Sequence, residues 1–274
     1  MHFDGQGGVW AIRCDDPSVA APVFTAPRRL CNGVAMNKVT VLSSGAWLLP
    51  AAVWSYTGQQ LPEMDGERFS NAVCSTDDGE SWQLRGGADV PKRCFDEHMV
   101  VERHDGSLWM LVRTLYGIGE SVSTDGGASW TPGQPSTLHG PNTRFFIRRL
   151  RSGRLLLVNH ALQPEALAHT GDWRPRTHLT AWLSDDDGAS WLGGLLLDER
   201  EPVSYPDGIE APDGRIYIIY DRERGDGKPA ADVLKDGKAR EILMAVFTEA
   251  DVLAGAPVTP AVRLRVQVNR IRPA

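Results

Sequence analysis

The chain lacks the long apolar run that a membrane-spanning helix needs. None of its hydrophobic stretches approaches the roughly 18 to 20 residues that cross a bilayer. Its first residues, MHFDGQGG, contain neither the basic nor the apolar region of a secretory signal peptide. The sequence therefore predicts a soluble chain with no membrane span. It leaves the compartment open between the cytoplasm and a secreted protein of which this chain is a fragment.

Positive charge is scattered and is outnumbered by negative charge. The formal net charge is −6, and the Lys and Arg residues form no basic stripe. Glycine-rich nucleotide-binding patterns, His-Glu-x-x-His zinc patterns and a nucleophile-elbow serine are absent as well. We therefore expect no nucleic-acid partner, no cofactor and no metal.

Cysteine is also scarce. The four cysteines, Cys14, Cys31, Cys74 and Cys94, lie 17, 43 and 20 residues apart. This spacing matches neither paired metal ligands nor a dense disulfide framework. Buried thiols are the expectation.

Glycine, proline and tryptophan are abundant by contrast. Gly and Pro together make up 46 of 274 residues, nine residues are Trp, and long helical periodicity is almost missing. This composition is typical of many short strands joined by turns.

One pattern, S-x-D-x-G-x-S-W, occurs three times, at residues 75–82, 123–130 and 184–191. Its aspartates, Asp77, Asp125 and Asp186, are 48 and 61 residues apart, which suits a four-stranded propeller blade with a variable loop. Each copy follows alternating and apolar strands, such as AWLLPAAVW or HMVVERHDGSLWMLVR. The repeats predict one closed β-propeller rather than two domains.

The ends of the chain break the repeat. The fourth unit ends in TEAD where a motif would stand, and the N-terminal GGVWAIRCDDPS matches only the later half of a unit. Either the C-terminal VRLRVQVNRI closes that first blade, or the chain is the remainder of a longer one.

The motif itself is explicable as local structure. An Asp in the turn can accept backbone N–H bonds, the Gly can take positive φ, and the Trp can cover the gap between blades. Three aspartates in three radial blades cannot converge on one substrate. We therefore interpret the motif as scaffold.

This motif is the Asp box, and its three copies with these strand patterns resemble the sialidase superfamily of β-propellers. The likeness runs from about Ala35 to Glu249. It implies an all-β propeller of four-stranded antiparallel blades, six in the parent family and five or six here, with residues 1–274 as one domain. Asp boxes indicate this architecture better than any activity, because one fold hosts many functions.

Residues outside the boxes carry the functional part of the resemblance. DEHMVVERHDGSLWMLVR looks like the segment that places Glu97 and Arg113 in family roles, and RTHLTAWLSDDDGASW points to Arg176. VSYPDGIEAPDGRIYIIYDRE puts Tyr205 at the nucleophile's position. The loop SYTGQQLPEMDGERF would supply the general acid, with Asp65 preferred and Glu63 in reserve.

These residues have a joint chemical meaning. A sialic acid has a carboxylate beside its anomeric carbon and would repel an anionic nucleophile. A neutral Tyr205 deprotonated by Glu97 could attack instead, while Arg113 and Arg176 bind the carboxylate bidentately. The predicted function is a sialidase-like, retaining glycoside hydrolase acting on a terminal acidic or related sugar, with a glycan as its partner.

One departure concerns the third arginine of the family's carboxylate clamp. Its place reads MNKVTVL, with Asn37 where the Arg would stand, and Arg144 in NTRFFI is a candidate for the extra cation. Arg222 is a minor candidate, and Arg224 reads as part of a solvated loop.

Simpler interpretations stay open for several residues. Tyr205 and Asp207 could form a turn, Glu97 or His98 a cap, and the arginines structural ion pairs. His98 with Tyr205 would also suit a uronate lyase, since both could move a proton beside a carboxylate. A non-catalytic glycan-binding propeller is a further alternative.

Overall fold

A computed structural model describes residues 6–54, 61–161, 175–224 and 238–271 of the chain. The chain divides into two compact units. The first comprises Met1–Thr114 and Gly119–Ser136, and the second comprises Leu115–Ile118 and Thr137–Ala274. Among the described residues, no helix is long and apolar enough to cross a membrane.

The first unit contains a two-stranded sheet and nearly all of two four-stranded sheets. The small sheet pairs β1 (Val9–Ala11) with β2 (Arg28–Cys31). The next sheet is β3 (Thr40–Val41), β4 (Trp47–Ala52), β5 (Ser70–Ser75) and β6 (Gln83–Ala88). It is followed by β7 (Arg93–Glu102), β8 (Leu108–Thr114), β9 (Gly117–Ser123) and β10 (Gln134–Pro135).

The second unit contains two further four-stranded sheets and a short helix. One sheet is β11 (Phe146–Arg149), β12 (Leu155–His160), β13 (Leu179–Ser184) and β14 (Leu192–Asp198). The other is β15 (Val203–Glu210), β16 (Ile216–Arg222), β17 (Glu241–Phe247) and β18 (Arg263–Arg270). Helix α1 spans Glu249–Ala254, between β17 and β18.

These sheets confirm the predicted fold class, an all-β propeller built from four-stranded antiparallel blades. In the described residues, four blades are complete and a fifth sheet has two strands. The idea that VRLRVQVNRI closes the N-terminal blade is wrong, because this segment forms β18 and pairs with β17 in the last sheet.

The core of the first unit lies between neighbouring sheets. Leu48 of β4, Val100 of β7 and Met110 of β8 are all buried in one apolar cluster, against which Trp130 packs. The second strands of the first three blades are buried on both faces, which explains apolar runs such as that of β8. The cysteines differ from expectation, since only Cys94 is fully buried and the other three are half-buried, all of them free thiols.

The Asp box is a turn held by its own side chains, as predicted. Ser81 N and Ser81 Oγ donate to the two oxygens of Asp77 at 2.8 and 2.6 Å, and Gly79 N donates to Ser75 Oγ at 2.8 Å. Hydrogen bonds from Ser81 and Ser75 lower the pKa of Asp77 to about 2. Trp82 Nε1 closes the turn on Gly79 O at 2.9 Å. The serine–aspartate bonds recur at Asp125 and Asp186, and the tryptophan bond recurs at Trp130.

The antiparallel order gives every blade two distinct rims. The first strand begins, the second ends and the third begins at one rim, which we call the upper rim. The boxes join the third and fourth strands at the opposite, lower rim. Every predicted site residue lies near the upper rim of its own blade, away from the boxes.

Candidate active site

The first strand of the second blade carries a strained bulge near the upper rim. Phe95, Asp96 and Glu97 have φ of 57°, 52° and 41°, all in the left-handed region. The pairing of β7 with β8 shifts register on both sides of Asp96. Such backbone costs about 1 to 3 kcal/mol per residue and persists only when neighbours hold it. The bulge also re-aims side chains out of the regular strand alternation.

The bulge directs the Glu97 carboxylate onto Arg113. Arg113 Nη1 donates to Glu97 Oε2 at 2.7 Å, and the two side chains are only 2% and 3% exposed. The Arg113 guanidinium also lies over the Phe95 ring, 5.1 Å from its centroid. The structure thus brings together two of the residues that the sequence predicts for one site.

Side chains from the first blade hold the main chain of the bulge. Asn37 Nδ2 donates to Glu97 O at 2.6 Å and to His98 O at 2.9 Å. Trp54 Nε1 donates to Phe95 O at 3.1 Å, and the two rings meet edge to face. Asn37 therefore lies beside the predicted site, but it gives both hydrogens of its amide nitrogen to backbone carbonyls.

A second ion pair anchors the same bulge. Arg93 Nη1 contacts Asp96 Oδ2 at 2.8 Å, and Ser70 Oγ donates to the same oxygen at 3.2 Å. Burial raises the pKa of Asp96, and the charge of Arg93 opposes that rise. The sequence offered no signal for this pair beyond the ordinary spacing of two charged residues.

His98 is buried and neutral. Its Nε2 lies 2.8 Å from Asn71 O. Burial lowers its pKa to about 4, although the hydrogen bond to Asn71 opposes this shift. A base with so low a pKa accepts a proton weakly at neutral pH. The placement of His98 favours a packing role over the proton-abstracting role considered for a lyase.

Asp65 lies on an exposed turn before the third strand of the first blade. A 3-10 helix covers Pro62–Glu67, and Arg68 Nε contacts Asp65 Oδ1 at 2.9 Å. Arg68 is buried and also donates to Trp54 O and Leu61 O, each at 2.8 Å. The Asp65 side chain is 65% exposed, and Glu63 on the same turn is exposed as well.

A second strained bulge occupies the upper rim of the fourth blade. Tyr205 has φ of 58°, and the pairing of β15 with β16 shifts register between Ser204 and Asp207. The turn expected at Asp207 is not present, since this residue pairs with Ile219 inside β15. The bulge accommodates Pro206 within the strand, because the ladder hydrogen bonds are already interrupted there.

Arg224 lies against Tyr205 and Asp221 lies against Arg224, and the sequence predicted neither residue for the site. The guanidinium carbon of Arg224 lies 3.6 Å from the centroid of the Tyr205 ring. Arg224 Nε is 3.7 Å from Asp221 Oδ2, and Ser204 Oγ donates to Asp221 Oδ1 at 2.7 Å. Burial raises the pKa of Asp221. The segment YDRER, at the end of a strand, is the sequence feature that could have indicated Asp221 and Arg224.

The remaining two predicted cations lie in the second unit with Tyr205. Arg144 Nη2 is 3.5 Å from Asp207 Oδ1, and its side chain is only 8% exposed. Arg176 is half-buried, and its Nη2 donates to Asn142 O at 2.9 Å. Arg222 instead pairs with Glu241 and Glu223, each at 3.1 Å.

Comparison with known proteins places this architecture in a class of repeat propellers. The model of the BNR repeat-like domain matches residues 15–218, which is most of the chain. The protein belongs to this family. No curated protein matches the chain.

Solved sialidase structures share the fold at low sequence identity. A leech intramolecular trans-sialidase complexed with 2,7-anhydro-Neu5Ac aligns with a TM-score of 0.59 and 16% identity, over 88% of this chain and 36% of its own. A Hadza microbial sialidase aligns with a TM-score of 0.58 and 20% identity, over 76% of this chain and 40% of its own. The NanB sialidase of Streptococcus pneumoniae aligns with a TM-score of 0.52 and 18% identity, over 72% of this chain and 30% of its own. The chain therefore spans well under half the length of these proteins.

Proposed function

We propose that the protein is a sialidase-like glycoside hydrolase that removes a terminal acidic or related sugar from a glycan with retention of configuration. Tyr205 is the nucleophile, Glu97 its base and Asp65 the general acid and base. Arg113 and Arg176 bind the sugar carboxylate. The observation that carries this proposal is the Glu97–Arg113 ion pair, 2.7 Å long and buried at an upper rim.

The first chemical step joins Tyr205 to the sugar. The Tyr205 hydroxyl oxygen attacks the anomeric carbon and passes its proton to the Glu97 carboxylate, while Asp65 protonates the departing glycosidic oxygen. A neutral nucleophile is needed because the sugar's own carboxylate lies beside the reacting carbon. In the second step Asp65 removes a proton from water, the water oxygen displaces Tyr205, and Glu97 returns the proton to the phenolate.

The two bulges support this assignment. Left-handed backbone at non-glycine residues concentrates at functional sites, where the strain fixes a side chain in a useful direction. Glu97 and Tyr205 both sit on such backbone near the start of a first strand. The exposed turn that carries Asp65 suits a group that must meet solvent water in the second step.

Replacement of the nucleophile tests the proposal. We expect Tyr205→Phe to lower turnover of an aryl glycoside of a sialic acid by at least about 100-fold, because general-base and nucleophilic groups contribute on this scale. Tyr217→Phe, which removes the hydroxyl of a half-buried tyrosine on β16, is the matched control and should keep its activity.

Three other outcomes would contradict the proposal in whole or in part. Full turnover by Tyr205→Phe would overturn the assignment of Tyr205 as the nucleophile. An unsaturated, ultraviolet-absorbing product from a uronate polymer would indicate a lyase. Saturable binding of the sugar without any product, in assays that span about five pH units around neutrality, would indicate a binding protein.

A further inference from the structure

We propose that Arg224 is a ligand for the substrate carboxylate, supplied by the same blade that carries Tyr205. This inference rests on the proposed function, since it assumes that an acidic sugar reaches Tyr205. It changes the role expected for this residue, which reads in the sequence as part of a solvated loop.

Arg224 is held in place before any ligand arrives. One face of its guanidinium covers the Tyr205 ring at 3.6 Å, and its Nε lies 3.7 Å from Asp221 Oδ2. Asp221 is itself fixed by Ser204 Oγ at 2.7 Å. A planar guanidinium stacked on an aromatic ring loses little further freedom when it binds a carboxylate.

The same arrangement occurs in the second blade, but there the arginine is much less exposed. Arg113 also covers an aromatic ring on a left-handed bulge, that of Phe95, and also pairs with a carboxylate, that of Glu97. Its side chain is 2% exposed, whereas that of Arg224 is 46% exposed. Of these two stacked arginines, Arg224 is therefore the more accessible to an incoming anion.

Local charge also favours an anion beside Arg224. Burial raises the pKa of Asp221, while the hydrogen bond from Ser204 and the charges of Arg224 and Arg176 oppose that rise. Two positive charges therefore act on the one half-buried carboxylate of Asp221. An additional carboxylate would be attracted to this cluster, and bidentate pairing with the terminal guanidinium nitrogens is the geometry that arginine favours.

Asn37 explains why such a ligand is needed. Its amide nitrogen donates to Glu97 O and His98 O, at 2.6 and 2.9 Å, and it carries no charge. Asn37 thus acts on the main chain of the Glu97 bulge and supplies no cation, whereas Arg224 supplies one on the blade of Tyr205. The substrate class that follows is a sugar with a carboxylate at or next to its anomeric carbon.

Ligand binding to two forms of one sugar tests this inference. A sialic acid and its neutral methyl ester would be titrated against the intact chain by calorimetry. We expect Arg224→Gln to weaken binding of the acid by at least about tenfold, because hydrogen bonds to charged groups contribute on this scale. Binding of the ester should change less than about twofold. Arg224→Lys should fall between, since it keeps the charge but not the planar fork.

Arg215→Gln is the matched control. Arg215 lies in the same blade, is similarly exposed at 48%, pairs with Asp213 and covers the ring of Tyr217 at 5.8 Å. It should leave the affinity for the acid unchanged. Unfolding temperatures of Arg224→Gln and Arg224→Lys that equal the wild-type value would show that the fold is preserved.

The outcomes separate this inference from the function on which it rests. If the wild-type protein binds the acid and Arg224→Gln binds it with the same affinity, only the role of Arg224 is overturned. Equal weakening for the acid and the ester also overturns it, because the effect would then not concern the carboxylate. Wild-type protein that binds neither sugar overturns the proposed function together with the inference.

Discussion

At the scale of single residues, the Glu97–Arg113 ion pair should matter strongly for stability. Both side chains are almost fully buried, so each charge depends on its partner for the interactions that water would otherwise provide. The same burial makes the pair informative, because a structural role and a catalytic role predict different responses to substitution.

Removal of one partner should destabilise the fold strongly. We expect Arg113→Met to lower the free energy of unfolding by about 3 to 5 kcal/mol, because it removes the cation that pairs with the buried Glu97 charge. The double variant Glu97→Leu/Arg113→Met should recover much of that loss, since an apolar pair of similar volume replaces the ions. Chemical denaturation of the three proteins measures both effects.

An exposed ion pair provides the control for this experiment. Arg215 and Asp213 contact each other at 2.6 Å with side chains about half exposed. Arg215→Met should therefore lower the free energy of unfolding by less than about 1 kcal/mol. An equally small effect of Arg113→Met would contradict the assignment of Glu97 as a charged, buried partner.

At the scale of elements, the fourth blade replaces the Asp box with helix α1. Asp251 accepts five hydrogen bonds, from Thr248 N and Oγ1, Val258 N, and Thr259 N and Oγ1, at 2.7 to 2.9 Å. Its side chain is fully buried. A single aspartate thus organises the turn between the third and fourth strands, as the box aspartates do in the other blades.

Asp251→Asn should destabilise the protein by about 2 to 3 kcal/mol, because an amide nitrogen would then face donors that now meet a charged oxygen. Burial raises the pKa of Asp251, but hydrogen bonds from Thr248 and Thr259 outweigh it and lower the pKa to about 2. The folded state therefore binds a proton less readily than the unfolded chain, whose carboxyl titrates near 3.8. The stabilisation is complete above that value and is lost as pH falls towards 2.

The difference in stability between wild type and Asp251→Asn should accordingly shrink between about pH 5 and pH 2. Urea denaturation at several pH values measures it. Asp213→Asn, at an exposed turn in the same blade, is the control and should show a much smaller difference at every pH. A wild-type advantage that does not depend on pH would show that the charge of Asp251 is not what stabilises the turn.

At the scale of the whole molecule, the BNR repeat architecture places a short list of side chains at the upper rims and the boxes at the lower rims. Glu97, Arg113 and Asp65 belong to the first unit, whereas Tyr205, Arg176 and Arg224 belong to the second. The proposed mechanism requires Glu97 and Tyr205 to act in one chemical step, and enzyme kinetics can test this requirement.

Residues that act in one chemical step have effects that do not add. We expect Tyr205→Phe and Glu97→Gln each to lower kcat/KM by at least about 100-fold, and the double variant to be little worse than either. Both losses should appear in kcat more than in KM. Multiplication of the two single losses in the double variant would indicate that Tyr205 and Glu97 act independently.

The sequence by itself determined the fold class. Three Asp boxes at blade-like spacing, and strands whose alternation switches at glycine turns, are local features, and local hydrogen bonds suffice to form them. It also indicated Glu97 and Arg113, through the resemblance of DEHMVVERHDGSLWMLVR to a sialidase segment, and the structure pairs them. Both residues lie on one hairpin, whose turn fixes the register of its two strands.

Tertiary structure decided what those residues contact. The bracing of the bulge by Asn37 and Trp54, the replacement of a box by α1 and the stacking of Arg224 on Tyr205 all join positions that have no regular spacing in the chain. Left-handed φ at Phe95, Asp96, Glu97 and Tyr205 has no local signature either. These residue types disfavour that backbone, so only the packed surroundings can impose it.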